Sequence, residues 1–361
     1  MVRSYGVIHD SELLRCWKFE GNRHIPVRFL FSTASILQYD WKQLESLALQ
    51  HPKLFPHLAE GALDPSGIML KPWQCAGKDY KDSWGAVWKT SITGMTGCVV
   101  SSPLKDLTDK QQLLKEYKFP DPEQENGWEP VDWEKDVFQT QKSDLENYGF
   151  CTGELRHGFL FLTLEYLRGY ENLVVDMFEG ADYLPELIRK IEFFNEQILR
   201  KFLRANLAVM FFPEDLGAQV GPLITPEHFR SYLKPSYTRL MGLAKQNGAL
   251  CHMHSDGDIR NLAEDLIDCG IDIINLQDRV NGLDDIVSLF SGRVAVDLDL
   301  DRQEITRVGS RKDILEYVQE IAGKLSSRNG GLSLVYDLYP GIPVENIAAV
   351  MDAFESINSD I

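Results

Sequence analysis

The chain has 361 residues, 44% of them hydrophobic and 25% charged, which is the balance of a folded globular chain rather than a disordered one. Lys and Arg number 37 against 54 Asp and Glu, a net charge of −17, so a nucleic-acid or anionic-membrane partner is not expected. No apolar run approaches the ~20 residues that span a bilayer, MVRSYGVIHDSELLRCW carries no signal-type apolar block, and the six scattered cysteines form no C-x-x-C; a reduced, cytoplasmic location is the expectation.

The first third reads irregularly. Trp17, Trp41, Trp73, Trp84, Trp88, Trp128 and Trp133 all precede residue 134, and aromatics so placed wall a core or a large flat ligand. IPVRFLF (25–31) reads as a first strand, and GMTGCVVSSP (94–103) as a short strand after a glycine turn. KFPDPEQENGWEPVDWEK (118–135), rich in Pro, Gly and acids, reads as a loop or subdomain edge.

From about residue 155, short apolar runs alternate with helical periods. The runs are GFLFLT (158–163), LAVMFF (207–212), ALCHMH (249–254), IDIINL (271–276), RVAVDL (293–298) and LSLVY (332–336). Between them, 183–206 sets Leu184, Leu187, Ile188, Ile191, Phe194, Ile198 and Phe202 on one face. Segment 224–248 opens with Thr225 as N-cap and Pro226 at the first helical position, is kinked or restarted at Pro235, and ends at Gly248. Ser310 with Asp313 matches a capping box. Such alternation with continuous apolar strands predicts a parallel sheet covered by helices. No G-x-G-x-x-G follows the first strand and no phosphate-binding P-loop occurs. The expected fold is therefore an α/β (β/α)8 barrel, one domain over 1–361, with residues 1–150 as irregular additions around its mouth.

In such a barrel the chemistry sits where strands end, and the residues at those positions are polar. Glu214 and Asp215 follow one strand, and His252, His254 and Asp256 end the next. Gln277 and Asp278, then Asp297, Asp299, Asp301 and Arg302, and finally Tyr336 and Asp337 follow. His252, His254 and Asp256 share parity and project from one side of an extended segment, a set suited to ligating a borderline cation or moving a proton. The competing reading packs His252 below the site and leaves Asp256 as a helix cap. Asp297, Asp299 and Asp301 also share parity; three carboxylates so placed need Arg, a metal or a cationic substrate, unless they open a solvated loop. Glu214–Asp215 reads either as an acid/base pair or as a capping turn.

At these same strand ends the sequence resembles the uroporphyrinogen decarboxylase superfamily. The matching stretches are EDLGAQVGPLITPEHFRSYLKPSY (214–237), HSDGDIRNLAEDLIDCGIDIINL (254–276) and YPGIPVENIAAV (339–350), with DSWGAVW (82–88), KFPDP (118–122) and LRGYENLVVDM (167–177) resembling its divergent members. The resemblance implies the barrel and an enzyme, and within the superfamily it offers two chemistries. Decarboxylases carry R-Q-A-G-R after the first strand, where this chain has Phe31 and Ser32. The acid of their F-S-D-I-L segment has no counterpart in GIMLKPW (67–73), and Tyr336 stands where their last strand has histidine.

The second branch is cobalamin-linked methyltransferases, whose thiol-activating members bind zinc through H-x-C and a later Cys. Here His254-Ser255-Asp256 and Tyr336 occupy those places, which implies an oxygen-rich site at His254 and Asp256, or no metal. The methyltransferase reading makes Glu214, His254, Asp256 and Asp299 catalytic, with Tyr166, Gln219, Gln277, Arg302 and Tyr336 holding a small methylated substrate. Zinc or no metal, and a corrinoid carried by a separate protein or a folate-type carrier, are the implied cofactors, since no D-x-H-x-x-G is present. A homodimer is left open. The alternatives are decarboxylation of a tetrapyrrole or other carboxylated ring, gripped by Arg28, Arg168 and Arg302, and a non-catalytic binder that has kept the barrel.

Overall fold

The computed structural model describes residues 5–8, 10–106 and 114–358. Its strands in chain order are β1 (Tyr5–Ile8), β2 (Val27–Phe31), β3 (Asp79–Lys81), β4 (Val87–Lys89), β5 (Cys98–Ser101), β6 (Cys151–Glu154), β7 (Leu207–Pro213), β8 (Gly217–Ala218), β9 (Gly221–Pro222), β10 (Leu250–Ser255), β11 (Ile273–Gln277), β12 (Ala295–Asp299) and β13 (Leu332–Leu338). The chain divides into two compact units. One comprises Met1–Lys78, Thr90–Gly97 and Leu276–Ile361, the other Asp79–Lys89 and Cys98–Asn275.

In the first unit the strand order is β1-β2-β13-β12. β12, β13 and β2 are parallel, with Asp297 opposite Ser333 and Tyr336 opposite Phe29. β1, which lies N-terminal to the expected first strand, pairs antiparallel with β2. The strand residues are buried on both faces, and Val27, Phe29, Leu298, Leu334 and Tyr336 join Ile347, Val350 and Phe354 of helix Val344–Ser356 in the core. Continuous burial of this kind explains the unbroken apolar runs. Ser310 and Asp313 form the expected capping box of helix Arg311–Leu325.

In the second unit β10, β7 and β6 lie side by side and parallel. A separate antiparallel sheet, β3-β4-β5, holds part of the tryptophan-rich region. Trp88 and Trp128 flank the buried Arg156 guanidinium, which is 4.0 Å from the Trp128 ring centre and paired to Asp82 at 2.7 Å. Helix Leu184–Phe202 buries the face read from its sequence period. Thr225 caps its helix by accepting from the His228 N–H. A π-helical turn at Phe229–Leu233 leads into helix Lys234–Gln246, with Pro235 in its first turn, where the missing N–H costs nothing.

One expected strand is corrected. GFLFLT (158–163) is not extended: the strand is the earlier Cys151–Glu154, and helix Phe161–Arg168 begins within the apolar run. A helix buried on all sides gives the same short apolar run as a buried strand. Parallel strands with intervening helices make this an α/β fold. Among the described residues no helix is long and apolar enough to cross a membrane.

Candidate active site

Three neighbouring parallel strands of the second unit deliver one cluster. His157 follows β6, Asp215 follows β7, and His254 lies at the C-terminal end of β10. The loops after β7 and β10 are tied together by main-chain bonds. Glu214 N–H donates to the His254 carbonyl at 3.0 Å, Gly217 N–H to that of Asp256 at 3.1 Å, and Asp258 N–H to that of Ala218 at 2.8 Å. Leu216 N–H donates to Ser255 Oγ, and Asp256 N–H to Asp215 Oδ1 at 3.0 Å. Gly217 and Gly257 make this approach achievable: a Cβ on Gly217 lies 2.4 Å from the Gly257 carbonyl carbon, and Gly257 has φ of +78°. Only glycine fits both demands.

Within the cluster, His157 Nε2 lies 3.5 Å from Asp215 Oδ2, and His254 Nε2 lies 3.5 Å from Asp215 Oδ1. Asp256 Oδ1 is 3.7 Å from His254 Nε2. Nδ1 of His254 contacts Asn275 Oδ1; that oxygen can only accept, so Nδ1 carries the hydrogen and Nε2 faces the carboxylates. Burial alone disfavours the imidazolium, but the bond to Asp215 and the charges of Asp256 and Asp215 outweigh it, raising the His254 pKa to about 9. Burial also works against the Asp215 carboxylate, yet the two imidazoles hold it well below the usual carboxylate range. Glu165 is shifted up by burial and by the neighbouring Asp215 charge.

Glu214 is fully buried and turned elsewhere. Its carboxylate accepts from the N–H groups of Leu160, Phe161 and Leu162 at 2.8–3.1 Å and from the Tyr237 hydroxyl at 2.8 Å. It thereby fills the N-terminus of helix Phe161–Arg168, whose unpaired N–H groups favour an anion. Burial dominates over these bonds and raises its pKa to about 7. The carboxylate therefore caps that helix. His252 is buried with its ring 4.5 Å from Phe211. Tyr166 packs edge-on against Trp88 at 4.7 Å, and Gln219 is exposed in the turn between β8 and β9.

The remaining sequence candidates belong to the first unit, where the three carboxylates take separate partners. Asp297 is buried between Arg28 and Ser333. Asp299 pairs with Arg302 at 2.8 Å, and that guanidinium stacks 4.6 Å from the Tyr339 ring centre. Asp301 accepts from the N–H groups of Gln303, Glu304 and Ile305 and so caps helix Ile305–Val308. Gln277 precedes helix Asp278–Asn281, its carbonyl accepting from the Asn281 amide. Tyr336 is fully buried and donates to Thr306 Oγ1 at 3.0 Å.

His157 was not legible as a site residue, because placing a strand at 158–163 puts it before the strand rather than after one. Shifting that strand to 151–154 is the signal that exposes it. Asp215 shares its motif with Glu214, and only the packing shows which of the two carboxylates meets the histidines.

The sequence profile of the family described as Uroporphyrinogen decarboxylase (URO-D) matches residues 158–357, a stretch containing Asp215 and His254 and beginning one residue after His157. The chain matches no curated protein sequence. Among solved structures, the catalytic domain of Bacillus sp. JAMB-750 GH26 endo-beta-1,4-mannanase is 12% identical with a TM-score of 0.38, over 69% of this chain and 74% of that one. A structure described as native KDPGal is 12% identical with a TM-score of 0.25, over 62% and 88%.

Proposed function

We propose that this chain, which belongs to the uroporphyrinogen decarboxylase (URO-D) family, is a (β/α)8-barrel enzyme of the methyltransferase-like branch with its reactive centre at His157, Asp215 and His254. In this reading it moves a methyl group between a small substrate and a carrier, either a corrinoid on a separate protein or a folate-type pterin. The observation that carries the choice is the state of the arginines. Arg28 is paired with Asp297, Arg168 with Asp176 at 2.7 Å and with the Leu104 and Lys105 carbonyls, and Arg302 with Asp299. Each of these three guanidiniums already has a carboxylate of its own chain, which disfavours them as the grip for a polycarboxylated ring and supports the methyltransferase reading over tetrapyrrole decarboxylation.

The thiolate zinc site of thiol-activating relatives does not fit this chain. Ser255 and Asp256 follow His254, and the residue in place of the later cysteine, Tyr336, is bonded to Thr306 in the core. The carrier supplies the transferable methyl group when bound. This chain's own groups bind and orient the acceptor: two imidazoles and a carboxylate at adjacent strand ends offer both lone pairs and N–H donors to one small polar molecule. Incubating the protein with methylcobalamin and thiol, amine or tetrahydropterin acceptors tests the reading, with loss of the methylcobalamin spectrum expected for one of them. No spectral change with any acceptor, together with CO2 release from uroporphyrinogen, overturns it in favour of the decarboxylase. Inertness in both assays, with small ligands still bound, favours the non-catalytic binder.

A further inference from the structure

The geometry points to a metal centre, and we propose that His157 Nε2, the Asp215 carboxylate and His254 Nε2 together hold one divalent first-row transition cation. The three ligand atoms lie within 4.8 Å of one another, and each imidazole nitrogen is 3.5 Å from a different Asp215 oxygen. Two ligands on bonds of ~2.0–2.2 Å in a tetrahedral shell stand about 3.4 Å apart, so a cation enters this cluster with little movement of the side chains. The Asn275 oxygen fixes the His254 ring with its Nε2 toward the carboxylates, as the outer partners of metal-bound histidines do, and Nε2 gives up its proton as the cation binds.

A further observation favours positive charge at this point: Asp256 Oδ1 is buried and accepts no hydrogen bond among the described residues, although it lies 3.7 Å from His254 Nε2. His157 is exposed while Asp215 and His254 are half-buried, which gives the ion a path from solvent and leaves positions open to substrate. Two imidazoles with one carboxylate select zinc, cobalt or iron over magnesium or calcium. The set combines three strand ends and no thiolate, in contrast to an H-x-C arrangement on a single strand. The inference deepens the proposed reaction by giving its centre a Lewis acid, but it rests on the cluster's geometry and not on the identity of that reaction.

The test is titration of the untagged, metal-stripped chain with Co2+, followed by visible d–d absorption and by elemental analysis after gel filtration. One equivalent of cobalt with a ligand-field band is expected. Asn275→Ala is expected to weaken binding roughly 10–100-fold, and His157→Ala and Asp215→Asn by more, whereas His228→Gln leaves it unchanged. Circular dichroism confirms that each variant is folded. Absence of the band at saturating cobalt overturns the proposal, as does binding by folded His157→Ala and Asp215→Asn that matches the parent chain. Cobalt uptake and methyl transfer are read separately: stoichiometric binding without methyl transfer supports the metal centre and overturns the reaction, and methyl transfer by a chain that takes up no cobalt does the reverse.

Discussion

Glu214 sets its carboxylate against three backbone N–H groups and the Tyr237 hydroxyl, whereas Asp215 turns toward His157 and His254. Truncating Glu214 strands four buried donors, each costing about 1–3 kcal/mol. Glu214→Ala is therefore expected to lower the unfolding free energy by at least about 3 kcal/mol in urea titrations, and a loss below about 0.5 kcal/mol contradicts the capping role. Asp278 carries the clearest pH signature. Burial, reinforced by the Asp301 charge, raises its pKa to about 6 although Tyr317 bonds to it. Its proton is held more tightly in the folded than in the unfolded chain. The stabilisation is thus fully present below pH ~4 and lost as the pH rises through about 6. Asp278→Asn removes that slope, so the stability gap between variant and parent chain should shift by roughly 2–3 kcal/mol between pH 4 and 7. A constant gap across that range contradicts the assignment. At this scale the nearness of His254 and Asp256 was legible in sequence from their spacing, whereas His252, two residues earlier, packs against Phe211. Which of Glu214 and Asp215 meets the histidines was not legible, because it depends on where a helix 53 residues earlier begins.

The loops after β7 and β10 form the element on which the cluster depends. Their alternating main-chain bonds hold Asp215 and Asp256 at fixed separation from His254. The Gly217–Gly257 contact has no room for a methyl group: a Cβ on Gly257 lies 2.1 Å from the Gly217 carbonyl carbon. Gly257→Ala is expected to force these loops apart, destabilising the fold by about 1–3 kcal/mol and abolishing cobalt uptake even where the chain remains folded. Undiminished uptake by this variant contradicts the loop pairing as the support of the site. The glycines stand out in sequence, but a close approach between residues 40 positions apart leaves no periodic trace. The same limit hid His157. Apolar content predicted an element near 158–163 but not its type, and helix or strand there decides whether His157 lies before the element or at the mouth end of the preceding strand.

Across the whole chain, the alternation of apolar strands and amphipathic helices after residue 155 was sufficient to read a parallel α/β fold, because strands buried on both faces cannot be mistaken for solvated ones. The tryptophan-rich first third was not readable in this way. Trp84 packs on Phe194, and Trp88 and Trp128 close around Arg156, contacts between distant segments that local pattern does not encode. The net charge of −17 predicts no retention on duplex DNA even at low salt, and a mobility shift there contradicts the exclusion of nucleic-acid partners. Whether His157, Asp215 and His254 carry the chemistry is decided by the single-turnover rate of methyl transfer from methylcobalamin to the acceptor in the parent chain, His157→Ala, Asp215→Asn and His254→Ala, with folding verified for each. A rate loss of roughly 100-fold or more is expected in all three variants; parent-like turnover in any one of them removes that residue from the reactive centre.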